Sequence, residues 1–170
     1  MPEPALTELT ELIYGKGAHA SSIACVEGLT ADLASRRVEG FPHSIWQLVF
    51  HVNYWIDYDL KRIRGERPPY PAHADESWPA SPASADDAAR RREVARFSAL
   101  LGEMAMLANA GPEKLQAEVD AMHPAHERQS SSLLAVLWQT VVHNSYHLGQ
   151  IALLRRTLGV WPPPGGGDTW

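Results

Sequence analysis

The chain has 170 residues, 45% hydrophobic and 21% charged, a globular profile with length for one sizeable core and too little for two ordinary domains, so residues 1–170 are expected to form a single domain. Its formal net charge of −5 with His neutral argues against a partner presenting nucleic-acid phosphates or anionic lipid. A single cysteine, Cys25, leaves no internal disulfide, and with neither a basic-then-apolar N-terminus nor an apolar run of membrane-spanning length the expected address is cytoplasmic.

Pro/Gly punctuation and the lack of a long alternating run predict an all-α chain. A short helix is expected from Ala5 to Tyr14, ended by Gly15-Lys16-Gly17, and a first long helix from about Ala18 to Ala34, with Ala20, Ile23, Ala24, Leu29 and Leu33 as its apolar positions. The second long helix starts at a capping-box pair, Ser44 and Gln47, carries the stripe Ile45, Leu48, Val49, Val52, Ile56 and Leu60, and stops at Gly65 before Pro68-Pro69. Asp57 and Asp59 are placed toward its exterior. Glu66 to Ala83, rich in proline, reads as a long crossover. The third helix follows, capped by Ser84 with Asp86 and Asp87 at its positive end, repeating Val94, Phe97, Leu101, Met104 and Ala108, and closed by Gly111-Pro112. Glu113 to Gln129 has no clear period; Leu115, Val119 and Met122 are expected to cover one end of the core. The fourth helix runs from Ser131 or Ser132 to Leu158, with Arg155 and Arg156 at its negative end and Gly159 and Pro162 beyond it. Residues 162–170 are composed like a flexible tail, although Trp161 just before it or Trp170 at its end could dock on a neighbour. Four amphipathic helices with one long connection predict a four-helix bundle with a crossover between helices two and three.

Within the fourth helix, His143 and His147 stand four apart on a face shared with Val136, Thr140, Ile151 and Leu154. Side chains at that spacing are neighbours, so both imidazoles can converge on one ion. Two such rings in an apolar core leave nitrogens that need partners, and an unpaired buried polar group costs about 1–3 kcal/mol. His51, flanked by Leu48 and Trp55 on the inward side of the second helix, is the candidate third ligand. Three imidazoles with an open fourth position describe a catalytic metal site, because structural zinc sites are closed by four protein ligands. His123 and His126 precede the fourth helix and read as surface residues, while His19, His43 and His73 have no spacing partner and read as surface or capping residues. Trp46, Trp55 and Trp138 read as core or interface aromatics, with Trp55 best placed to line a pocket. Asn144, Tyr146 and Gln150 could orient the ligands from behind or simply pack.

The segments Ser44-Ile45-Trp46-Gln47-Leu48-Val49-Phe50-His51, with the following Trp55, and His143-x-x-Tyr146-His147-x-Gly149-Gln150-Ile151 resemble the two signature segments of the DinB-like superfamily. The resemblance extends through Gly65, Trp78-Pro79 and the stretch from Leu154 to Gly159. It implies a bundle in up-down-down-up order, a divalent metal held by His51, His143 and His147, and a homodimer. The family contains transferases and isomerases that use low-molecular-weight bacterial thiols, and proteins assigned as metal-dependent hydrolases.

Two other metal sites are excluded by the residues themselves. A zincin protease needs Glu directly after its first histidine, where this chain has Asn144. A di-iron bundle needs Glu three residues before each ligating His, where it has Thr140 and Asn144. One divalent ion is therefore expected. Imidazoles suit zinc, nickel, iron and copper alike; zinc or nickel is the first expectation, iron or manganese the next. Such an ion lowers the pKa of bound water toward ~7 or stabilises a thiolate, giving a hydrolase or a thiol-dependent transferase acting on a small molecule. A non-catalytic metal-binding or stress-related bundle is the alternative.

Overall fold

The computed structural model describes residues 4–120 and 130–166. Met122, His123, His126 and Trp170 lie outside the described residues. The elements are α1 Pro4–Ile13, α2 Ser22–Val26, α3 Ala31–Ser35, α4 Ile45–Ile63, α5 Asp87–Ala108, α6 Pro112–Leu115 and α7 Leu133–Thr157, with a 3-10 turn at Ala74–Ser77. A two-stranded antiparallel ladder joins β1 Glu118–Asp120 to β2 Ser130–Ser132. The fold is all-α, with this ladder as its single departure among the described residues.

Cross-helix pairs fix the direction of each element. Asn53 meets Glu93, Asp57 meets Arg96 and Arg64 meets Glu103, so α4 and α5 run parallel and need the long crossover between them. Thr10 meets Asn109, while the Tyr14 hydroxyl lies 4.0 Å from where a Cβ on Gly102 would sit, so the N-terminal segment runs against α5. His19 meets Ser145, and Ala24 to Glu27 meet Arg155, so the same segment runs with α7. The order is up, down, down, up. Leu48, Val52, Ile56 and Leu60 of α4, Phe97, Leu101 and Met104 of α5, and Val136, Leu137, Leu148, Ile151 and Leu154 of α7 share one core.

The caps follow local chemistry. Ser44 Oγ accepts from Gln47 N at 3.2 Å, and Gln47 Oε1 accepts from Ser44 N at 3.1 Å, closing the expected box. Asp86, two residues nearer the helix than Ser84, caps α5 by accepting from Ala89 N at 2.6 Å. Ser132 caps α7 by accepting from Ala135 N at 3.2 Å. In the stretch without a clear period, α6 and β1 place Leu115 and Val119 in the core.

The fourth bundle position differs from the expected Ala18–Ala34 helix. It is built from α1, α2 and α3, because Gly15, Gly17 and Gly28 take positive φ values of 82°, 79° and 70° that a continuous helix does not allow. At the Gly28 break a Cβ would come within 2.9 Å of Pro164 Cδ, so glycine also admits the C-terminal segment; residues 162–166 pack here through buried Pro163. The break leaves carbonyls without helical partners, and Arg155 supplies them. Instead of facing solvent at the end of α7, Arg155 is 1% exposed. Its Nη1 donates to Cys25 O at 2.9 Å and Glu27 O at 2.7 Å, and its Nε to Val160 O at 3.2 Å. Hydrogen bonds from a charged donor are stronger than neutral ones, and these join three segments at one point. Replacing Arg155 by Met leaves several buried carbonyls without a donor and is expected to cost about 3 kcal/mol of unfolding free energy in urea denaturation; a loss below about 1 kcal/mol would show that this guanidinium does not hold the broken segment.

Candidate metal centre

The site lies where α4 and α7 cross. His51 is on the inward face of α4 between Leu48 and Val52, and His143 and His147 are on α7. Their candidate ligand nitrogens all fall within 4.8 Å of one another. Ring centroids are 4.6 Å apart for His143 and His147, 4.8 Å for His51 and His147, and 5.3 Å for His51 and His143. The structure thus brings together the three histidines that spacing and stripe position singled out.

Hydrogen bonds behind the rings fix which nitrogens face the cluster. His51 Nδ1 lies 3.3 Å from the Ser77 carbonyl, which only accepts, so Nδ1 carries the proton and Nε2 keeps its lone pair. His147 Nδ1 donates to Gln150 Oε1 at 2.8 Å, again leaving Nε2 free. Two Nε2 atoms, of His143 and His147, then face each other at 3.2 Å. Facing lone pairs need a proton or a cation between them. The spacing is close to the ~3.3–3.4 Å that separates two nitrogens held at about 2.0–2.1 Å by a tetrahedral ion. These residues fit a divalent metal, and the three-histidine group could hold one.

Sequence spacing did not give a role to Ser77 or Trp78. The 3-10 turn delivers the Ser77 carbonyl, and Trp78 follows it with its ring between two imidazoles, stacked on His51 at 3.8 Å and on His43 at 3.7 Å, each at 9°. The crossover therefore roofs the site. His43, read as a surface or capping residue, is half-buried in that stack. His19 bridges to Ser145 Oγ at 3.1 Å, and His73 is exposed at the start of the 3-10 turn. Of the residues considered for orienting the ligands, Gln150 does so, Asn144 is buried with its Oδ1 unpartnered, and Tyr146 lies edge-on to His147 at 5.0 Å.

Beside His143 opens a cavity of about 450 Å³, walled by Trp55, Tyr58 and Tyr70. Its far wall carries Asp59, which corrects the expectation that this residue faces outward. Asp59 is buried, one turn beyond Ile56, and pairs with Arg62 at 2.7 Å. Arg62 donates through Nε and Nη2 to Asp120 O at 2.9 and 2.7 Å. Burial pushes the Asp59 carboxyl up from the usual range, and Arg62 opposes that. Asp57 does lie outside the core, paired with Lys61 at 2.8 Å and Arg96 at 3.5 Å.

A model of the DinB superfamily matches residues 16–151. The chain belongs to the DinB superfamily. No curated protein and no solved structure matches it significantly. The span matched to the DinB superfamily contains His51, Trp78, His143 and His147, and no helix among the described residues is long and apolar enough to cross a membrane.

Burial, with the neighbouring imidazoles, depresses the histidines' proton affinity, to about 3 for His51 and about 4 for His143; His147 is lowered as well, mainly by burial. All three are neutral at pH 7, as metal ligation requires. Because the folded values lie below the unfolded value near 6.5, the unfolded chain binds more protons in acid. The metal-free protein should therefore keep these contributions above pH ~6.5 and lose stability as pH falls from there toward 3–4. Urea unfolding at pH 7.0, 5.5 and 4.5 is expected to show this fall, shallower in His51→Asn; equal slopes would refute the burial of a neutral ring.

Proposed function

We propose that the chain binds one divalent metal ion through His51, His143 and His147 and acts as a metal-dependent enzyme on a small molecule, either a hydrolase or a transferase using a low-molecular-weight thiol. One observation carries this reading: three imidazoles converge with their ligand nitrogens within 4.8 Å of one another, two of them held with Nε2 turned inward, and His143 lines an adjoining aromatic-walled cavity. Three protein ligands leave a coordination position free for water or substrate, as catalytic sites do and closed structural sites do not. A dication held by neutral ligands keeps its full charge, which acidifies a bound water or thiol. Zinc or nickel is the proposed ion, with iron or manganese next, because imidazole ligands suit zinc, nickel and iron.

The protein's own groups supply position. Ser77 O and Gln150 Oε1 hold two rings in the ligating tautomer and raise their basicity, Trp78 packs over His51, and the cavity gives a small molecule access to the side of His143. Purified protein is expected to contain one divalent ion per chain by elemental analysis, and His147→Ala to lose it while remaining folded. Unchanged metal content in that variant would overturn the site. Metal-loaded protein assayed with generic esters and with thiol cosubstrates separates the two reaction classes; turnover with neither would leave a metal-binding module.

The partner proposed is a second copy, paired through the outer face of α7. From Leu133 to Leu154 that helix contains no Asp, Glu, Lys or Arg, although Trp138, Val142, Tyr146 and Leu153 face solvent. Val142 and Tyr146 are 66% and 65% exposed, and the stripe follows the spacing of a helix–helix seam. A two-fold axis would cover each stripe with its own equivalent. Light scattering is expected to give a dimer for the natural chain and a monomer for Val142→Glu/Tyr146→Glu; a monomeric natural chain would refute the pairing.

A further inference from the structure

The cavity beside His143 is lined by two residues with buried polar atoms that the fold itself does not use. Asn144 is 3% exposed, lies next to a proposed ligand, lines the cavity, and has Oδ1 without a hydrogen-bond partner among the described residues. Tyr58 is 6% exposed, lines the same cavity, and its hydroxyl is likewise unpartnered. Each such group costs about 1–3 kcal/mol when left unsatisfied, so a fold needing only packing here would carry Leu and Phe.

The rest of the lining narrows what could satisfy them. Trp55, Tyr58 and Tyr70 cluster into one aromatic wall, with Trp55 edge-on to Tyr58 at 5.4 Å and tilted against Tyr70 at 5.8 Å. Flat ligands gain most from such a wall, through stacking and edge contacts. At the far wall Asp59 and Arg62 neutralise each other, so the lining offers no net charge there. A charged tail would leave that end uncompensated, whereas the histidine end, once it holds a dication, favours an anion.

We propose that the cavity is a substrate-recognition site for an aromatic or conjugated acid derivative that directs its anionic end toward His143 and donates an adjacent N–H or O–H to Asn144 Oδ1, its flat body lying against Trp55 and Tyr70. This rests on the metal reading above and adds the ligand class. Asn144 is then a specificity-determining residue, its unsatisfied oxygen retained because the ligand completes it.

Hydroxamates test both halves, since they combine an anionic metal-seeking end with an N–H and a variable body. On zinc-loaded protein, calorimetry is expected to show benzohydroxamate binding about ten-fold more tightly than acetohydroxamate, which lacks the ring. That advantage should disappear in Trp55→Leu. N-methylbenzohydroxamate, which lacks the donor, should bind about ten-fold more weakly than benzohydroxamate to the natural chain and equally to Asn144→Leu. Asn144→Leu should also retain its metal and melt at a higher temperature than the natural chain, because it removes an unsatisfied buried amide. A residue serving only the fold would lower the melting point and leave the two benzohydroxamates distinguished. Equal affinities for benzo- and acetohydroxamate on metal-loaded protein would overturn the aromatic half, and equal affinities for the N–H and N-methyl ligands would overturn the role of Asn144. Failure of the natural chain to hold any divalent ion would instead overturn the metal reading beneath both.

Discussion

Neutral imidazoles buried together at the α4–α7 crossing constrain everything placed around them. The His51 and His147 rings each need a proton acceptor on the outer nitrogen so that the inner one can turn toward its neighbours. The acceptors come from two unlike places. Gln150 lies one turn along α7 from His147, so ordinary helical spacing supplies it. The Ser77 carbonyl comes from a segment between helices, and a carbonyl can point at a side chain only where the backbone is not consumed by its own helix. The proline-rich crossover is thus part of the site. Its 3-10 turn fixes Ser77, and the next residue covers the site with an indole.

The parallel course of α4 and α5 follows from the same economy of space. A short turn between them would have reversed the chain and left no segment to reach back across the mouth of the bundle. The long connection permits parallel packing of α4 on α5 while α7 returns antiparallel to both, and this aligns Asp59 with Thr140 and His51 with His147. The buried Asp59–Arg62 pair extends the arrangement to β1, because Arg62 also binds the Asp120 carbonyl. One wall of the cavity is tied to the small ladder.

Much of this was legible in the sequence. The Ser44–Gln47 box, the α4 stripe and the His143–His147 spacing are local signals, governed by interactions within one or two turns, and the structure reproduces them. His51 was legible through its place in an apolar stripe. What could not be read depends on partners distant in the chain. Nothing near Ser77 or Trp78 announces a contact with His51, and a proline-rich segment has no period to follow. Asp59 reads as an exterior residue until Arg62 and Thr140 surround it. The continuous helix expected from Ala18 failed for a related reason: its apolar positions do pack on the core, but Gly28 gives way to Pro164 and Arg155 captures the freed carbonyls. A periodic stripe records burial; it does not record whether the backbone beneath it is continuous.

The crossover's reach to His51 also bears on how the chain assembles. The pieces of the site are residue 51, the turn at 77–78, and residues 143–150, so the shortest segment containing all of them spans most of the chain. Contacts between residues so far apart close late, after the loops between them have lost their entropy. A nascent or truncated chain lacking α7 therefore has two of its imidazoles missing and the third without its neighbours. Ligands that bind only the native state shift the folding equilibrium in its favour. An ion captured here would act as a late latch, engaging only when the first and last long helices are already aligned, so that loading with metal and completion of the fold become a single event.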